Sequence, residues 1–182
     1  MVYQIASFLL DVAAGLLGGA CLLRLYMQYQ RIGFGNPIGR FVFALTDWLV
    51  LPLRRVLPAM GRVDTASLVG AYLLQLAQYG LLYLLMGRGA GAELLPLLAL
   101  FGLVRLVLSS LTGLLIVYAI LSWVRSDSPI SDVIDRLCAP LLRPLRRVIP
   151  LVGGVDLSPL VLLLLLQVGA IVLASLQKAV VG

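Results

Sequence analysis

The chain has 182 residues, of which 62% are apolar and only 12% are charged, and its mean hydropathy is +1.07. Because so few polar groups cannot cover the surface of a water-soluble globule, this composition excludes that class and indicates an integral membrane protein. The formal net charge is +6 without a single histidine, so the commonest general base and metal ligand is absent.

Four apolar stretches are long enough to cross a bilayer core, which takes about 20 residues of helix. They run at about 5–29, 66–86, 94–124 and 158–179. The third exceeds one crossing, which predicts a tilt, a kink near Gly113 or an extension into water. The first begins without a basic region and contains Asp11, so we interpret it as a span and not as a cleaved signal peptide.

Basic residues concentrate in the two linkers that join the first span to the second and the third to the fourth. These residues are Arg31, Arg40, Arg54, Arg55 and Arg62 in the first linker and Arg125, Arg136, Arg143, Arg146 and Arg147 in the second. The hairpin between the middle spans carries only Arg88. Since cytoplasmic loops hold the excess of Arg and Lys, we expect a bacterial inner-membrane protein with cytoplasmic linkers and with both termini and the hairpin outside.

Each linker contains a stretch with apolar residues at helical spacing. Asn36 and Pro37 form a good N-cap and first-turn pair for the first of these helices, whose other face holds Arg40 and Asp47. The apolar positions are Ile38, Phe41, Val42, Leu45, Trp48 and Leu49 in the first linker and Ile130, Val133, Ile134, Leu137 and Leu141 in the second. Two interpretations stay open: an amphipathic helix lying in the cytoplasmic interface, or a helix packed on the ends of the bundle.

One block of the sequence occurs twice, at an offset of 92 residues. The motif PLRRVLP at 52–58 recurs as PLRRVIP at 144–150, and GRVD at 61–64 matches GGVD at 153–156. An internal duplication of this kind indicates that two similar structural units make up the chain.

The duplication divides the chain into repeat one, residues 1–90, and repeat two, residues 91–182. Because each repeat holds an even number of spans, the repeats should be parallel and related by an axis along the membrane normal. The expected fold is therefore an all-α membrane protein of four transmembrane helices in two parallel repeats, each with an interfacial amphipathic helix in its cytoplasmic linker.

An Arg-Arg pair lies between two prolines in both copies of the motif. The pairs are Arg54 with Arg55 and Arg146 with Arg147. Pro52 and Pro144 can each open a short helical turn, which would hold the pair on a compact element. Guanidinium groups placed there can bind lipid phosphates or a protein partner, or they can serve only to keep the linkers in the cytoplasm. All three interpretations stay open.

A tight turn with capping residues precedes the last span. Its residues are Gly153, Gly154, Asp156, Ser158 and Pro159. The glycines allow the turn, Asp156 or Ser158 is the expected N-cap, and Pro159 takes the first position of the span. The first copy repeats this scheme with Gly61 and Asp64 but lacks the second glycine and the proline. A phosphate cradle would need a preceding strand and a lysine, so we interpret the turn as a cap.

Polar residues inside the spans are candidates for function, because their burial in lipid is costly. Gln75 and Gln167 lie near the bilayer midplane at equivalent places of the two repeats, where they can hydrogen-bond across the repeat interface or line a polar path. Arg24 can extend to the cytoplasmic surface, whereas Arg105 lies deeper and Asp11 is its expected partner.

No enzyme chemistry is indicated by the residues present. Cys21 and Cys138 are not paired in sequence, so neither a redox motif nor a structural disulfide is expected. No metal site, cofactor or nucleic-acid partner is indicated either. Small residues spaced four apart within 14–19 permit close helix packing, inside the fold or in a homo-oligomer.

The duplicated motifs resemble those of a known family. Two spans flanking NPI…PLRRVLP…G-x-V-D, repeated as SPI…PLRRVIPLVGGVDLSPLVLLLLLQ, are similar to the YggT family of bacterial inner-membrane proteins, which is related to the YlmG proteins of cyanobacteria and chloroplasts. The likeness covers essentially the whole chain, although the first copy lacks the double glycine and the Ser-Pro of the motif. The resemblance implies four spans and a role in osmotic stress tolerance or in division and nucleoid or membrane organisation. It implies no established enzymatic activity and no ligand residues.

Two classes of function stay open. In the first, a non-enzymatic protein of envelope organisation or osmotic stress tolerance uses its Arg-rich cytoplasmic linkers to contact membrane phospholipid or a protein partner. In the alternative, a small oligomeric channel or transporter for ions or osmolytes has its constriction at the level of Gln75 and Gln167. The scarcity of charge inside the spans, none of which is broken at its middle, favours the first class.

Overall fold

The structure is a computed structural model that describes residues 2–58, 61, 63–85, 92–124, 128–149 and 156–181. These described residues form six α-helices and no strand. The helices are α1 (Val2–Tyr29), α2 (Pro37–Val56), α3 (Thr65–Leu85), α4 (Leu95–Val124), α5 (Pro129–Arg146) and α6 (Ser158–Val181), and a short 3-10 helix, Ala92–Leu94, precedes α4. The prediction of an all-helical protein is confirmed.

Four of these helices are long and apolar enough to cross a membrane. The segments that meet this criterion are Tyr3–Tyr29, Thr65–Leu85, Ala92–Ser122 and Ser158–Val180. They agree with the expected stretches to within a few residues, so the prediction of four spans is confirmed by length and composition. α4 runs as one continuous helix through Gly113, which accounts for the length of the third span.

The spans pack side by side, and the linker helices lie at one end of the bundle. α1 packs along α3, α3 along α4, and α4 along α6, while α1 also meets α4. α2 lies against α1 and α3, α5 lies against α4 and α6, and α2 and α5 touch each other. The Tyr26 hydroxyl, near the end of α1, donates to the Leu137 carbonyl oxygen on α5 at 2.8 Å. Both linkers therefore lie at the same end of the spans.

Both linker helices begin with a side-chain cap and a proline in the first turn. The Asn36 side chain accepts a hydrogen bond from the Gly39 amide at 2.8 Å, and Ser128 Oγ accepts one from the Ser131 amide at 3.2 Å. Such caps satisfy amide donors that have no partner inside the helix. The predicted Asn36 cap is confirmed, and Ser128 does the same for α5.

The expectation that the prolines of the duplicated motif open short separate turns is wrong. α2 continues through Pro52 to Val56, and α5 continues through Pro144 to Arg146. A proline inside a helix removes the hydrogen bond to the carbonyl oxygen four residues earlier. Both proline rings are exposed, so this loss occurs on the outer side of each helix and not in the core. Each linker therefore holds one longer helix with the Arg-Arg pair at its end.

One face of each linker helix belongs to the core. α2 buries a stripe formed by Gly39, Val42, Thr46 and Val50. α5 buries a broader stripe formed by Val133, Ile134, Leu137, Cys138 and Leu142. Residues three or four apart share a helix face, so these stripes fix the two helices against the ends of the spans.

Candidate functional site

The end of α2 is tied to the start of α3 by an arginine–aspartate pair. Arg54 lies in the last turn of α2, and both its Nε and its Nη2 donate to the Asp64 carboxylate, with 3.4 Å between Nε and Oδ1. The same carboxylate accepts hydrogen bonds from the Ser67 amide at 3.4 Å and the Ser67 hydroxyl at 2.7 Å. Arg54 Nη2 also reaches Gln28 Oε1 on α1 at 3.1 Å. The completely buried Asp64 therefore caps α3 and anchors Arg54.

Arg24 of α1 joins this pair in a buried cluster, so the expectation that it extends to the surface is wrong. Its side chain is 2% exposed. Arg24 Nη1 donates to Thr46 Oγ1 and to Asp47 Oδ1, both at 2.7 Å. Its Nε makes no hydrogen bond with the described residues and lies 3.8 Å from Asp64 Oδ2. Two arginines and two aspartates thus balance their charges in what we name the Arg24 cluster, formed by Arg24, Asp47, Arg54 and Asp64.

The second copy of the motif forms the corresponding pair in a more exposed place. Arg146 Nε donates to Asp156 Oδ2, and Arg146 Nη2 donates to the Tyr118 hydroxyl on α4, both at 2.7 Å. The side chains of Arg146 and Asp156 are 43% and 30% exposed. The end of α5 is therefore tied to the start of α6 and to α4.

The capping residues before α6 have separate places in the structure. Asp156 Oδ1 accepts a hydrogen bond from the amide of Ser158, the first residue of α6, at 2.9 Å. Pro159 is the second residue of the helix. The buried Ser158 hydroxyl makes no hydrogen bond with the described residues. Gly153 and Gly154 lie outside the described residues.

Both aspartates are held in the ionised form. Burial raises the pKa of Asp64, but the hydrogen bonds from Arg54 and Ser67 outweigh it and leave the pKa below its ordinary value. Burial likewise raises the pKa of Asp156, and hydrogen bonds from Ser158 and Arg146 bring it below its ordinary value. An ionised carboxylate facing a guanidinium group makes a charge-assisted pair. Both pairs therefore connect the end of one helix to the start of the next.

The two arginines of each motif have different surroundings. Arg54 and Arg146 each form an ion pair with an aspartate of the same chain. Arg55 and Arg147 are exposed and form no ion pair with the described residues. Of the four arginines predicted to contact lipid or a partner, only Arg55 and Arg147 therefore carry a charge that no aspartate of the chain neutralises.

One sequence signal could have revealed the two pairs. The arginine and the aspartate are ten residues apart in both copies of the motif. Arg24 gives no comparable signal, because its hydrogen-bond partners lie 22 and 23 residues away and the residue at its equivalent position in the second repeat is Ile116. Its burial follows from the tertiary packing of α2 on α1.

The prediction that Arg105 forms an ion pair with Asp11 is wrong. The Asp11 carboxylate accepts a hydrogen bond from the side-chain amide of Gln78 on α3. Arg105 is exposed on α4 and forms no ion pair with the described residues. A similar depth in the membrane does not bring two side chains together unless their helices also turn them toward each other.

The two glutamines predicted to lie near the bilayer midplane have different surroundings. Gln75 is 5% exposed, and its side-chain oxygen, Oε1, packs against Gly102 on α4. A Cβ at Gly102 would have no room beside this oxygen. Gln167 is exposed on α6. No hydrogen bond joins these two described side chains. The difference follows from the packing, because α3 lies against both α1 and α4 whereas α6 lies mainly against α4.

The cysteines are buried and do not form a disulfide. Burial raises the pKa of the Cys138 thiol on α5 to about 12, so the thiol stays protonated at neutral pH and is a poor nucleophile. Within the described ranges, no three Cys, Asp or Glu side chains come close enough to hold a metal ion.

Comparison with known proteins gives several relatives of similar length. The chain is 42% identical over 168 residues to a protein of Escherichia coli (strain K12) named "Uncharacterized protein YggT", and the alignment covers 89% of this chain and 85% of the relative. It is 37% identical over 165 residues to an uncharacterized protein in the proC 3′ region of Vibrio alginolyticus, with coverage of 88% and 89%. It is 36% identical over 166 residues to an uncharacterized protein of Pseudomonas aeruginosa, with coverage of 89% and 84%.

A family model agrees with these relatives. The model described as CCB3/YggT matches residues 3–85 and 97–177, which together include both linker helices, the first two spans and most of the other two. No solved structure matches the chain. The chain belongs to the CCB3/YggT family.

Proposed function

We propose that the protein is a non-enzymatic organiser of the bacterial inner membrane. Its spans anchor two linker helices, whose outer faces and available arginines contact membrane phospholipid or a protein partner on the cytoplasmic side. The physiological setting that we propose is envelope organisation or osmotic stress tolerance. The observation that carries the proposal is the composition of the outer face of α2.

The outer face of α2 is both apolar and basic. Its exposed apolar side chains include Phe41, Trp48 and Leu51, of which Trp48 is 60% exposed. Arg40 and Arg55 are exposed on the same helix. Water disfavours so much apolar surface on one helix, whereas the membrane interface accommodates aromatic rings, apolar side chains and arginines together. The outer face therefore supports an interfacial position, and the buried stripe on the other side fixes the helix to the bundle.

The shared position of the two linkers supports their cytoplasmic location. Because α2 and α5 touch at one end of the bundle, their exposed arginines contribute to one basic surface. Basic residues near spans are retained on the cytoplasmic side, and the anionic lipids of that leaflet attract them. In this proposal Arg55 and Arg147 contact the headgroup region, while Arg54 and Arg146 hold the helix ends in place.

Fluorescence quenching in proteoliposomes measures whether Trp48 lies in the lipid interface. The chain has 2 tryptophans, so a Trp123→Phe variant leaves Trp48 as the only reporter. An interfacial helix lies about 5–10 Å into the boundary between headgroups and acyl chains. We therefore expect lipids brominated high on the acyl chain to quench Trp48 more strongly than lipids brominated near its end.

A Trp48→Phe variant, which keeps Trp123 as the only reporter, controls for quenching that is not specific to α2. Strong quenching of Trp48 by aqueous iodide, with no effect of either brominated lipid, would place α2 in water and contradict the proposal. Stronger quenching by the deeply brominated lipid would also contradict it, because the helix would then lie in the bilayer core.

A further inference from the structure

A pocket of about 260 Å³ lies where the end of α1 meets α5. Its lining includes three arginines, Arg31 after α1 and Arg136 and Arg143 on α5. Arg136 and Arg143 are two helical turns apart, so they share one face of α5. None of the residues that line the pocket is acidic. Three positive side chains therefore converge on a space without an acidic neighbour in its wall.

These three arginines also lack an internal counter-charge. Among the described residues their side chains form no ion pair and no hydrogen bond, in contrast to those of Arg24, Arg54 and Arg146. Asp132, one turn before Arg136 on α5, is not ion-paired with it. Like charges that face one space repel each other, and a bound anion would turn that repulsion into attraction.

The backbone at Arg31 is in a conformation that favours glycine. Its φ is 56°, and it is the one non-glycine residue with a positive φ in the described part of the chain. The Arg31 amide donates to the Gln28 carbonyl at 3.1 Å and the Ile32 amide to the Met27 carbonyl at 2.9 Å, which is a Schellman ending of α1. An arginine in this glycine position is strained, and such strain tends to persist where a side chain has a function.

The walls of the pocket are held together by packing. Tyr26 on α1 donates to the Leu137 carbonyl on α5, and a buried apolar cluster beside the pocket joins the same two segments. Met27 and Ile32 from the end of α1 pack there with Val133 of α5. The spacing between Arg31 and the two arginines of α5 is therefore built into the fold.

The duplication does not reproduce this pocket. At the offset of 92 residues, the positions equivalent to Arg31, Arg136 and Arg143 are occupied by Trp123, Ala44 and Leu51. The arginine arrangement therefore occurs once per chain, and it cannot be a by-product of the repeated Arg-Arg motif.

We propose that Arg31, Arg136 and Arg143 form a binding site for one phosphate group. Guanidinium groups are the side chains best suited to phosphate oxygens, because they donate several hydrogen bonds in a fixed planar arrangement. The headgroup of an anionic phospholipid and free phosphate both carry this chemistry. The lipid form rests on the proposed function, since it needs the pocket to lie at the membrane surface, whereas binding of free phosphate does not.

Native mass spectrometry of the full-length protein in maltoside micelles, titrated with phosphatidylglycerol, tests the lipid form. We expect one lipid to bind, and an Arg136→Gln, Arg143→Gln double variant to bind it about tenfold more weakly or worse, since it loses charge-assisted bonds. Glutamine keeps helix propensity similar at these exposed positions. The matched control is an Arg105→Gln, Lys178→Gln double variant, which removes the same charge from exposed positions of α4 and α6 that have no part in the proposed lipid contacts, and its affinity should stay within about twofold.

An Arg31→Gly variant separates binding from folding. Glycine suits the left-handed backbone at this position, so we expect this variant to unfold at the same temperature as the wild type or at a higher one. It should nevertheless bind phosphatidylglycerol more weakly, because one of the three guanidinium groups is lost. A loss of binding together with a lower unfolding temperature would point to a structural role of Arg31 and overturn its part in the site.

Calorimetric titration with inorganic phosphate in the same micelles distinguishes the two sources. Binding of phosphatidylglycerol without measurable binding of inorganic phosphate identifies a lipid headgroup site, whereas binding of inorganic phosphate that the pocket variant loses identifies a free phosphate site. Equal losses in the pocket variant and in the Arg105→Gln, Lys178→Gln control would show attraction by net charge alone and overturn the proposal. If Trp48 is quenched as an interfacial residue while the pocket variant binds like the wild type, the site fails and the proposed function stands.

Discussion

An Asp64→Asn substitution is expected to destabilise the protein by about 3–5 kcal/mol, because it leaves positive charge in the Arg24 cluster without a buried counter-charge. Asn keeps the shape of the side chain and an oxygen that can still cap α3, so the loss of the negative charge is isolated from the loss of the cap. The buried Arg24 has no route to water, since its side chain is 2% exposed. A change of this size corresponds to a decrease in Tm of about 10 °C for a chain of this length.

The buried cysteines provide the measurement. Cys21 and Cys138 are 1% and 0% exposed, so a maleimide dye that fluoresces on reaction with thiols reports unfolding in detergent micelles. Asp156→Asn is the matched control, because Asp156 forms the same kind of pair with a 30% exposed side chain and should cost about 1 kcal/mol or less. Equal decreases in Tm for the two variants, or no decrease for Asp64→Asn, would contradict the role assigned to the Arg24 cluster.

Gly39→Ala is expected to lower stability by about 1–3 kcal/mol, although Ala is the better helix former by about 1 kcal/mol. A Cβ at Gly39 would lie 2.5 Å from the Phe34 carbonyl oxygen and 2.6 Å from the Phe34 Cα. These are backbone atoms, so the turn before α2 would have to move. That movement would disturb the Asn36 cap and the stacking of Phe34 on Phe43, whose ring centres are 4.6 Å apart.

The equivalent position in the second linker provides the control for Gly39→Ala. Ser131 lies 92 residues after Gly39 and already carries a Cβ, so Ser131→Ala should cost about 1 kcal/mol or less, for the loss of the 3.1 Å hydrogen bond between the Ser131 and Ser128 hydroxyl groups. The Ser128 cap is retained in this variant, because the bond that it accepts comes from the backbone amide of residue 131. An increase in Tm for Gly39→Ala would show that helix propensity outweighs the contact with Phe34 and that the turn can move freely.

The elements that could be predicted from the sequence are those determined by local patterns. The hydropathy of the sequence predicted the four spans, and the capping preference of Asn36 predicted the start of α2. The ends of the linker helices could not be predicted, because the tolerance of Pro52 and Pro144 depends on which way each ring faces after folding. The internal repeat and the interfacial position of the linker helices stay predictions.

The features that sequence reasoning missed depend on contacts between distant segments. Arg24 is buried because α2 brings Thr46 and Asp47 to it, and no local pattern indicates that contact. Gln75 and Gln167 occupy equivalent places in the sequence but differ in exposure, because α3 is enclosed by two other spans and α6 is peripheral. The ten-residue spacing of Arg54 and Asp64 was visible, but the positive-inside rule offered a sufficient explanation for the arginine.

Stopped-flow light scattering of proteoliposomes after hyperosmotic shock separates a membrane organiser from a channel or transporter. Empty liposomes give the rate of passive equilibration, and a Gln75→Leu, Gln167→Leu double variant removes the two side-chain amides that are predicted to lie near the bilayer midplane. We expect proteoliposomes of the wild type and of this variant to equilibrate at the rate of empty liposomes. Faster equilibration in the wild type that the double variant loses would contradict the organiser function and establish a conduction path at the level of the glutamines.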